Sequence, residues 1–190
     1  MTQDPLMSGG SGIEAILQKL TSDQELDAVI LREKVDLLAR VAVDHLYEDA
    51  CGNVISYKAS AILGLAAHND PRCRRLVIDY LNNYNLTLKR SALLAAKVLN
   101  DKTLCPQIAK LLQDRSTVIR MQAMDCLLSL SPENLDEYLK VLVCDHVWYV
   151  REKLARVLVQ KGLCPDLMAS LERDPKAAVR EAAHLELIHS

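Results

Sequence analysis

The sequence has no phenylalanine, one tryptophan, and only 4% aromatic residues in total. Glycine and proline are also sparse, at six each, and half of the glycines lie in the opening stretch Ser8–Gly12. A β-sandwich or barrel needs many short strands separated by turn residues, which this chain does not provide. Its apolar residues are mostly Leu, Ala, Val and Ile, which suit close helix–helix packing. We therefore predict an all-α protein.

The sequence also lacks the common catalytic and metal-binding motifs. It has no glycine-rich phosphate loop, no G-x-S-x-G elbow and no H-E-x-x-H helix, so we predict no catalytic residue and no cofactor. Six cysteines occur without a C-x-x-C pair, which indicates reduced core or capping residues in a cytoplasmic protein. Cys144 and His146 lie close together, but two ligands are fewer than a zinc site requires. No metal site is predicted.

The first residues are set apart from the rest of the chain. Residues 1–12 contain a second methionine, Met7, and a Gly-Ser stretch, and we interpret them as an expression remnant and a flexible tail. We expect a single domain over residues 13–190, with irregular helices over 13–50 and regular repeats over 51–190. The irregular part is predicted to hold helices from Ile13 to Leu20 and from Leu26 to Tyr47. No apolar run reaches the roughly 20 residues that span a bilayer, so no membrane partner is predicted.

The formal net charge is −2 and is unevenly distributed. Residues 1–70 hold 11 acidic and 5 basic residues, whereas residues 71–190 hold 14 acidic and 18 basic ones. The overall balance argues against a dedicated nucleic-acid binder. The basic excess of the C-terminal part would suit an acidic protein partner, although charge of this size is typical of any solvated surface.

Three segments of the chain share one pattern. They begin at Asp114, Asp145 and Asp174, and each has an Arg six residues after the Asp, with a β-branched residue directly before the Arg. Weaker copies around residues 52–58 and 83–89 keep a basic residue but have glycine or asparagine in place of the acid. The basic positions are spaced 31, 31, 31 and 29 residues apart: Lys58, Lys89, Arg120, Arg151 and Arg180. A helix after each basic residue at this period predicts a stack of helical hairpins.

Each repeat is expected to contain two helices. The second helix includes the basic residue and carries an apolar face rich in alanine and leucine: Ala61, Leu65, Ala92, Ala96, Ala123, Leu127, Leu154, Leu158, Ala183 and Leu187. The first helix is predicted to begin at a polar residue or cysteine followed by proline, which favours the first helical position. These pairs are Asp70–Pro71, Cys105–Pro106, Ser131–Pro132 and Cys164–Pro165.

The Asp-x5-Arg spacing, the preceding valine or isoleucine and the helix that follows resemble the HEAT repeat family, in its short-repeat, bilin-lyase-type form. The resemblance covers residues 101–190 best and residues 50–100 more weakly. It implies a right-handed α-solenoid of about five to six hairpins. It also implies a structural ladder within and between repeats, made of Asp114, Arg120, Asp145, Arg151, Asp174 and Arg180.

A HEAT-like solenoid most often serves as a scaffold or adaptor for a protein partner, and the resemblance implies two surfaces for one. The second helices would line a concave face with Arg90, Lys97, Gln122, Asp125, Lys153 and Arg156. The turns would form a ridge with Tyr84, Arg115, Trp148 and Tyr149, residue types that anchor protein interfaces. For Trp148 two interpretations stay open, an exposed anchor or a ring packed on the neighbouring hairpin.

Other functions also follow from the resemblance. Some short-repeat members are bilin lyases, and this chain has no transferable motif that tests for that activity. Others are alkylpurine DNA glycosylases, which would need a basic groove with several aromatic residues. A third alternative is a heterodimer or a block of a longer solenoid, because the apolar stripe through Val179, Ala183 and Leu187 continues without a polar capping repeat.

Overall fold

A computed structural model describes residues 43–184 of the chain. This part contains ten α-helices, two short 3-10 helices and no strand, which confirms the all-α prediction. The predicted helix Ile13–Leu20, most of the predicted helix Leu26–Tyr47, the tail over 1–12 and Leu187 lie outside the described residues. Within residues 43–184, no helix is long and apolar enough to cross a membrane.

The chain divides into two compact units, and the first ends at Asp101. The described helices of the first unit are α1 (Val43–Cys51), α2 (Ile55–Ala67), α3 (Cys73–Leu81) and α4 (Leu86–Leu99). Helix α1 packs on α2, and α3 packs on α4. Helices α2 and α4, which contain the repeat positions Lys58 and Lys89, also pack directly on each other.

The second unit begins at Lys102. It opens with the 3-10 helix Lys102–Leu104, and a second 3-10 helix spans Leu111–Gln113. Its α-helices are α5 (Cys105–Lys110), α6 (Thr117–Leu130), α7 (Leu135–Val143), α8 (Trp148–Lys161), α9 (Pro165–Leu171) and α10 (Ala177–Ala183). Helix α5 packs on α6, and α8 packs on both α9 and α10.

The alanine and leucine positions predicted for the second helices form the core wherever they are described. All nine described residues of that set are buried, from Ala61 and Leu65 in α2 to Ala183 in α10. The β-branched residues before the arginines, Ile119, Val150 and Val179, have no exposed surface. Small side chains in these helices let neighbouring backbones approach, while the larger aliphatic residues supply most of the buried area.

A left-handed residue ends each second helix from the first repeat to the fourth. Asn69, Asn100, Ser131 and Gly162 have φ angles of 52°, 51°, 45° and 60°. Each lies eleven residues after the basic repeat position, so the 31-residue period recurs in the backbone as well as in the side chains. Asparagine and glycine adopt this conformation most readily, which is why they recur here.

Two of the four predicted starts of first helices are wrong. Helix α3 begins at Cys73 and not at Pro71, because the Asp70 carboxylate accepts the Arg72 N–H at 2.8 Å and holds residues 70–72 in a turn. Helix α7 begins at Leu135, since Ser131 is used as the left-handed end of α6. The two Cys-Pro pairs do lie at helix starts, at α5 and α9.

Candidate functional site

The turn before each second helix is organised by an acidic side chain. The Oδ1 atoms of Asp114, Asp145 and Asp174 each accept a backbone N–H from two residues further on, at 2.8 Å in all three turns. In the first unit Asn83 makes the same contact with the Asn85 N–H at 2.9 Å. In that repeat the side-chain oxygen of Asn83 therefore forms the turn that an Asp carboxylate forms in the second unit.

The repeat arginines hold their own turns through the backbone. One Nη1 of each donates to the carbonyl oxygen of the Asp six residues earlier, at 2.9 Å for Arg120, 2.6 Å for Arg151 and 2.7 Å for Arg180. A guanidinium group has several donors in a fixed plane, so this contact leaves others available for a different acceptor.

Two of these arginines also bind the carboxylate of the following turn in a bidentate manner. Arg120 donates from Nε and Nη2 to Asp145 at 2.6 and 2.9 Å. Arg151 donates in the same way to Asp174 at 2.6 and 3.0 Å. One guanidinium thus joins two successive turns, and the turns at 114, 145 and 174 lie in a row within the second unit.

The Arg120–Asp145 pair is buried and the Arg151–Asp174 pair is largely buried, and both pairs perturb the titration of their acids. The Arg120 and Asp145 side chains are only 4% and 3% exposed. Burial alone would raise the pKa of Asp145, but the hydrogen bonds from Arg120 and from the Val147 N–H outweigh it and leave the pKa below its usual value. The hydrogen bonds from Arg151 lower the pKa of Asp174 against the opposing effect of burial. Both carboxylates are therefore ionised structural elements at neutral pH.

In the first unit the cation of the first repeat has a different contact. The Nζ atom of Lys58 lies 5.7 Å from the centre of the Tyr80 ring. The Tyr80 hydroxyl in turn donates to the Ala50 carbonyl oxygen at 2.5 Å. Gly52, at the acid position of this repeat, has no side chain that could accept a hydrogen bond. Lys58 instead makes a cation–π contact with Tyr80.

The buried pairs leave a row of exposed side chains along the same turns. We call residues 115–118, 146–149 and 175–177 of the second unit the turn ridge. Arg115 and Lys176 are exposed, and Trp148 and Tyr149 are 41% and 42% exposed. The two rings meet edge to face with centroids 5.9 Å apart. The Lys176 Nζ lies 5.2 Å from the centre of the Trp148 ring.

Trp148 therefore combines features of both interpretations of the sequence. One part of its surface is covered by Tyr149 and by the lysine of the next turn, and the remainder faces solvent. A large aromatic residue that is held in place while still exposed is suited to bind a partner at low entropic cost.

Exposed apolar residues recur at these register positions in the first unit as well. Among the described residues eight large hydrophobic side chains are exposed, and all but Val141 lie between two and five residues before a basic repeat position. Those in the first unit are Val54, Ile55, Tyr84 and Leu86, and Tyr84 is 84% exposed. Their shared register separates them from scattered surface hydrophobics, which need no explanation.

The candidates on the second helices are more fully engaged within their own unit. Lys153 donates to Asp125 at 2.7 Å, which joins α8 to α6. Arg156 is paired with Glu152 on the same helix. Gln122 is half-buried, and its Oε1 is buried with no hydrogen-bond partner among the described residues. Arg90 and Lys97 are half-exposed on α4. A partner at Lys153 or Arg156 would have to compete with an existing acid.

Sequence reasoning missed part of the turn ridge. The partner-binding residues predicted from the sequence do not include Val118 and Lys176 of the turn ridge. They also do not include the exposed Val54, Ile55 and Leu86 of the first unit. Superposing the five repeats on their basic residues and comparing the four positions before each basic residue would have found them, because those positions hold at least one apolar residue in every repeat and an acid in none.

Metal-binding residues do not cluster in the part of the chain that the structure describes, where no group of three potential ligands occurs. Cys144 and His146 are both exposed, and the His146 Nδ1 lies 3.6 Å from the Asp145 carboxylate. Comparison of the chain with protein-family models and with curated proteins finds no match.

Proposed function

We propose that the chain is a non-enzymatic, HEAT-like scaffold or adaptor that binds a protein partner through its turn ridge. The observation that carries the proposal is the row of exposed aromatic and basic side chains over residues 115–118, 146–149 and 175–177. The turns beneath them are held by buried, bidentate ion pairs and so present these side chains in a fixed arrangement. Tryptophan, tyrosine and arginine are the residues most enriched at the energetic centres of protein interfaces.

The turn ridge is favoured over the second-helix face on electrostatic grounds. Lys153 and Arg156 already have acidic partners within the unit, whereas Asp145 and Asp174 are buried beneath the ridge and Asp114 is half-buried. A partner at the ridge would meet exposed cations and rings without displacing an intramolecular ion pair.

The proposed architecture is a right-handed α-solenoid of HEAT-like hairpins, in a cytoplasmic protein. The recurrence of the 31-residue period in the left-handed helix ends and in the Asp–Arg contacts supports it. Small-angle X-ray scattering tests the shape: the proposal expects the extended profile of a curved rod, and a profile typical of two independently tumbling globules would contradict it.

Site-specific photo-crosslinking tests the binding surface. A photoreactive phenylalanine analogue replaces Tyr149 in the full chain, and the same analogue at Gln160, an exposed residue near the other end of α8, serves as the matched control. The proposal expects a discrete protein adduct in native cell extract from position 149 and not from position 160. Equal labelling from both positions, no protein adduct, or an adduct with nucleic acid would each overturn it.

A further inference from the structure

The accessible charges of the turn ridge are of one sign. Asp145 and Asp174 are buried and bound to arginines, so they contribute no accessible negative charge to the ridge. The exposed charged side chains of the ridge are Arg115 in its first turn and Lys176 in its third. The half-exposed Trp148 and Tyr149 lie in the middle turn. The order along the ridge is therefore cation, aromatic pair, cation.

Nearby carboxylates do not reverse this pattern. Glu152, one turn into α8, is ion-paired with Arg156. Glu172 precedes the third turn, but the exposed Arg173 follows it directly and balances its charge. Asp114, directly before Arg115, is half-buried, and its Oδ1 accepts the Ser116 N–H. With Arg115 and Lys176 both exposed, the ridge keeps a positive excess although the chain as a whole is slightly acidic.

The ladder also determines the length of the ridge. A single guanidinium bridges each step from one turn to the next, and helices that pack side by side lie about 8–10 Å apart. Two steps from the turn of Arg115 to the turn of Lys176 then span about 16–20 Å. An extended peptide advances roughly 3.3 Å per residue, so about five or six residues cover this distance.

We propose that the turn ridge binds an extended acidic segment of a partner protein, with an apolar residue seated on Trp148 and Tyr149 and carboxylates at both ends beside Arg115 and Lys176. This inference rests on the proposed function and adds the partner's chemistry to it. A nucleic acid would use the same cations, but only two of them lie on the ridge and the chain is net acidic. A protein segment therefore fits better.

Trp148 provides a reporter for the test, because it is the only tryptophan of the chain. The probe is the acetylated peptide EESLSEE, titrated against the full-length protein at low salt while tryptophan emission is followed. The control peptides are EESSSEE, which lacks the apolar residue, and KKSLSKK, which reverses the charge. We expect a saturable shift of emission with EESLSEE and at least tenfold weaker binding of both controls.

Charge-reversal variants locate the binding site. We expect R115E and K176E each to weaken EESLSEE binding about tenfold, and the double variant to bind KKSLSKK instead. Lys161, exposed at the far end of α8 about 20 Å from Trp148, provides the matched control, and K161E should bind EESLSEE within twofold of the wild type.

Four results would overturn the inference. They are no saturable change with EESLSEE at millimolar concentration, equal binding of KKSLSKK by the wild type, tighter binding of oligothymidylate than of EESLSEE, and an emission change explained by self-association in sedimentation. If position 149 still crosslinks to a protein in extract while EESLSEE does not bind, the partner is not acidic and the proposed function stands. If both experiments fail, the proposed function fails with this inference.

Discussion

Replacing Arg120 with methionine should strongly destabilise the second unit. The substitution keeps an unbranched side chain of similar length but removes the two hydrogen bonds to Asp145 and the hydrogen bond to the Asp114 carbonyl oxygen. The Asp145 carboxylate, 3% exposed, would then be buried with only the Val147 N–H as a donor. Breaking a buried ion pair by removing one partner costs about 3–5 kcal/mol, and we expect R120M to lie in that range.

The reasoning is tested by urea unfolding at pH 7, followed by the emission of Trp148, which reports on the second unit. Arg180 occupies the equivalent position one repeat further on from Arg151, and its described hydrogen bonds go to the carbonyl oxygens of Asp174 and Pro175. R180M should therefore cost only about 1 kcal/mol. Adding D145N to R120M removes the unpaired charge and should recover part of the loss. A cost for R120M below about 1 kcal/mol, or equal to that of R180M, would refute the account.

Three further predictions concern the buried carboxylates of the turns, two cysteines and the glycine that ends α8. Because the folded-state pKa values of Asp145 and Asp174 lie below those of the unfolded chain, their stabilisation is present above about pH 4 and is lost as pH falls through the folded values. The urea midpoint read by Trp148 should drop in that window, and less steeply in D174N; a midpoint independent of pH would contradict this. A maleimide should modify the exposed Cys144 rapidly and the buried Cys73 slowly, because burial raises the pKa of the Cys73 thiol to about 12. Mass spectrometry measures the two modification rates, and equal rates would contradict this prediction. Gly162→Ala should cost about 1 kcal/mol, since φ is +60° there while the space around the added methyl group is open, and an unchanged urea midpoint would show that the left-handed helix end is not required.

The sequence predicted those features of the fold that depend on periodic patterns. The scarcity of glycine and proline indicated an all-helical chain, and the spacing of Lys58, Lys89, Arg120 and Arg151 identified the register that recurs in the backbone. The buried face of the second helices also follows from a pattern, because alanine and leucine at helical spacing can be counted in the sequence.

Other features depend on contacts that no local pattern contains. The starts of α3 and α7 were misplaced because Asp70 and Ser131 form a turn and a helix end, roles that the same residue types share with helix capping. The pairing of Arg120 with Asp145, 25 residues later, depends on how the turns pack against one another. For the same reason the exposed fraction of Trp148 had to come from the structure.

The central claim is that a partner binds the turns and not the face of the second helices. Amide hydrogen exchange of the full chain, with and without the protein captured through position 149, tests it most directly. The account predicts added protection in residues 115–118, 146–149 and 175–177, and none in residues 153–160 of α8. Protection concentrated around Lys153 and Arg156, with the turns unchanged, would contradict it.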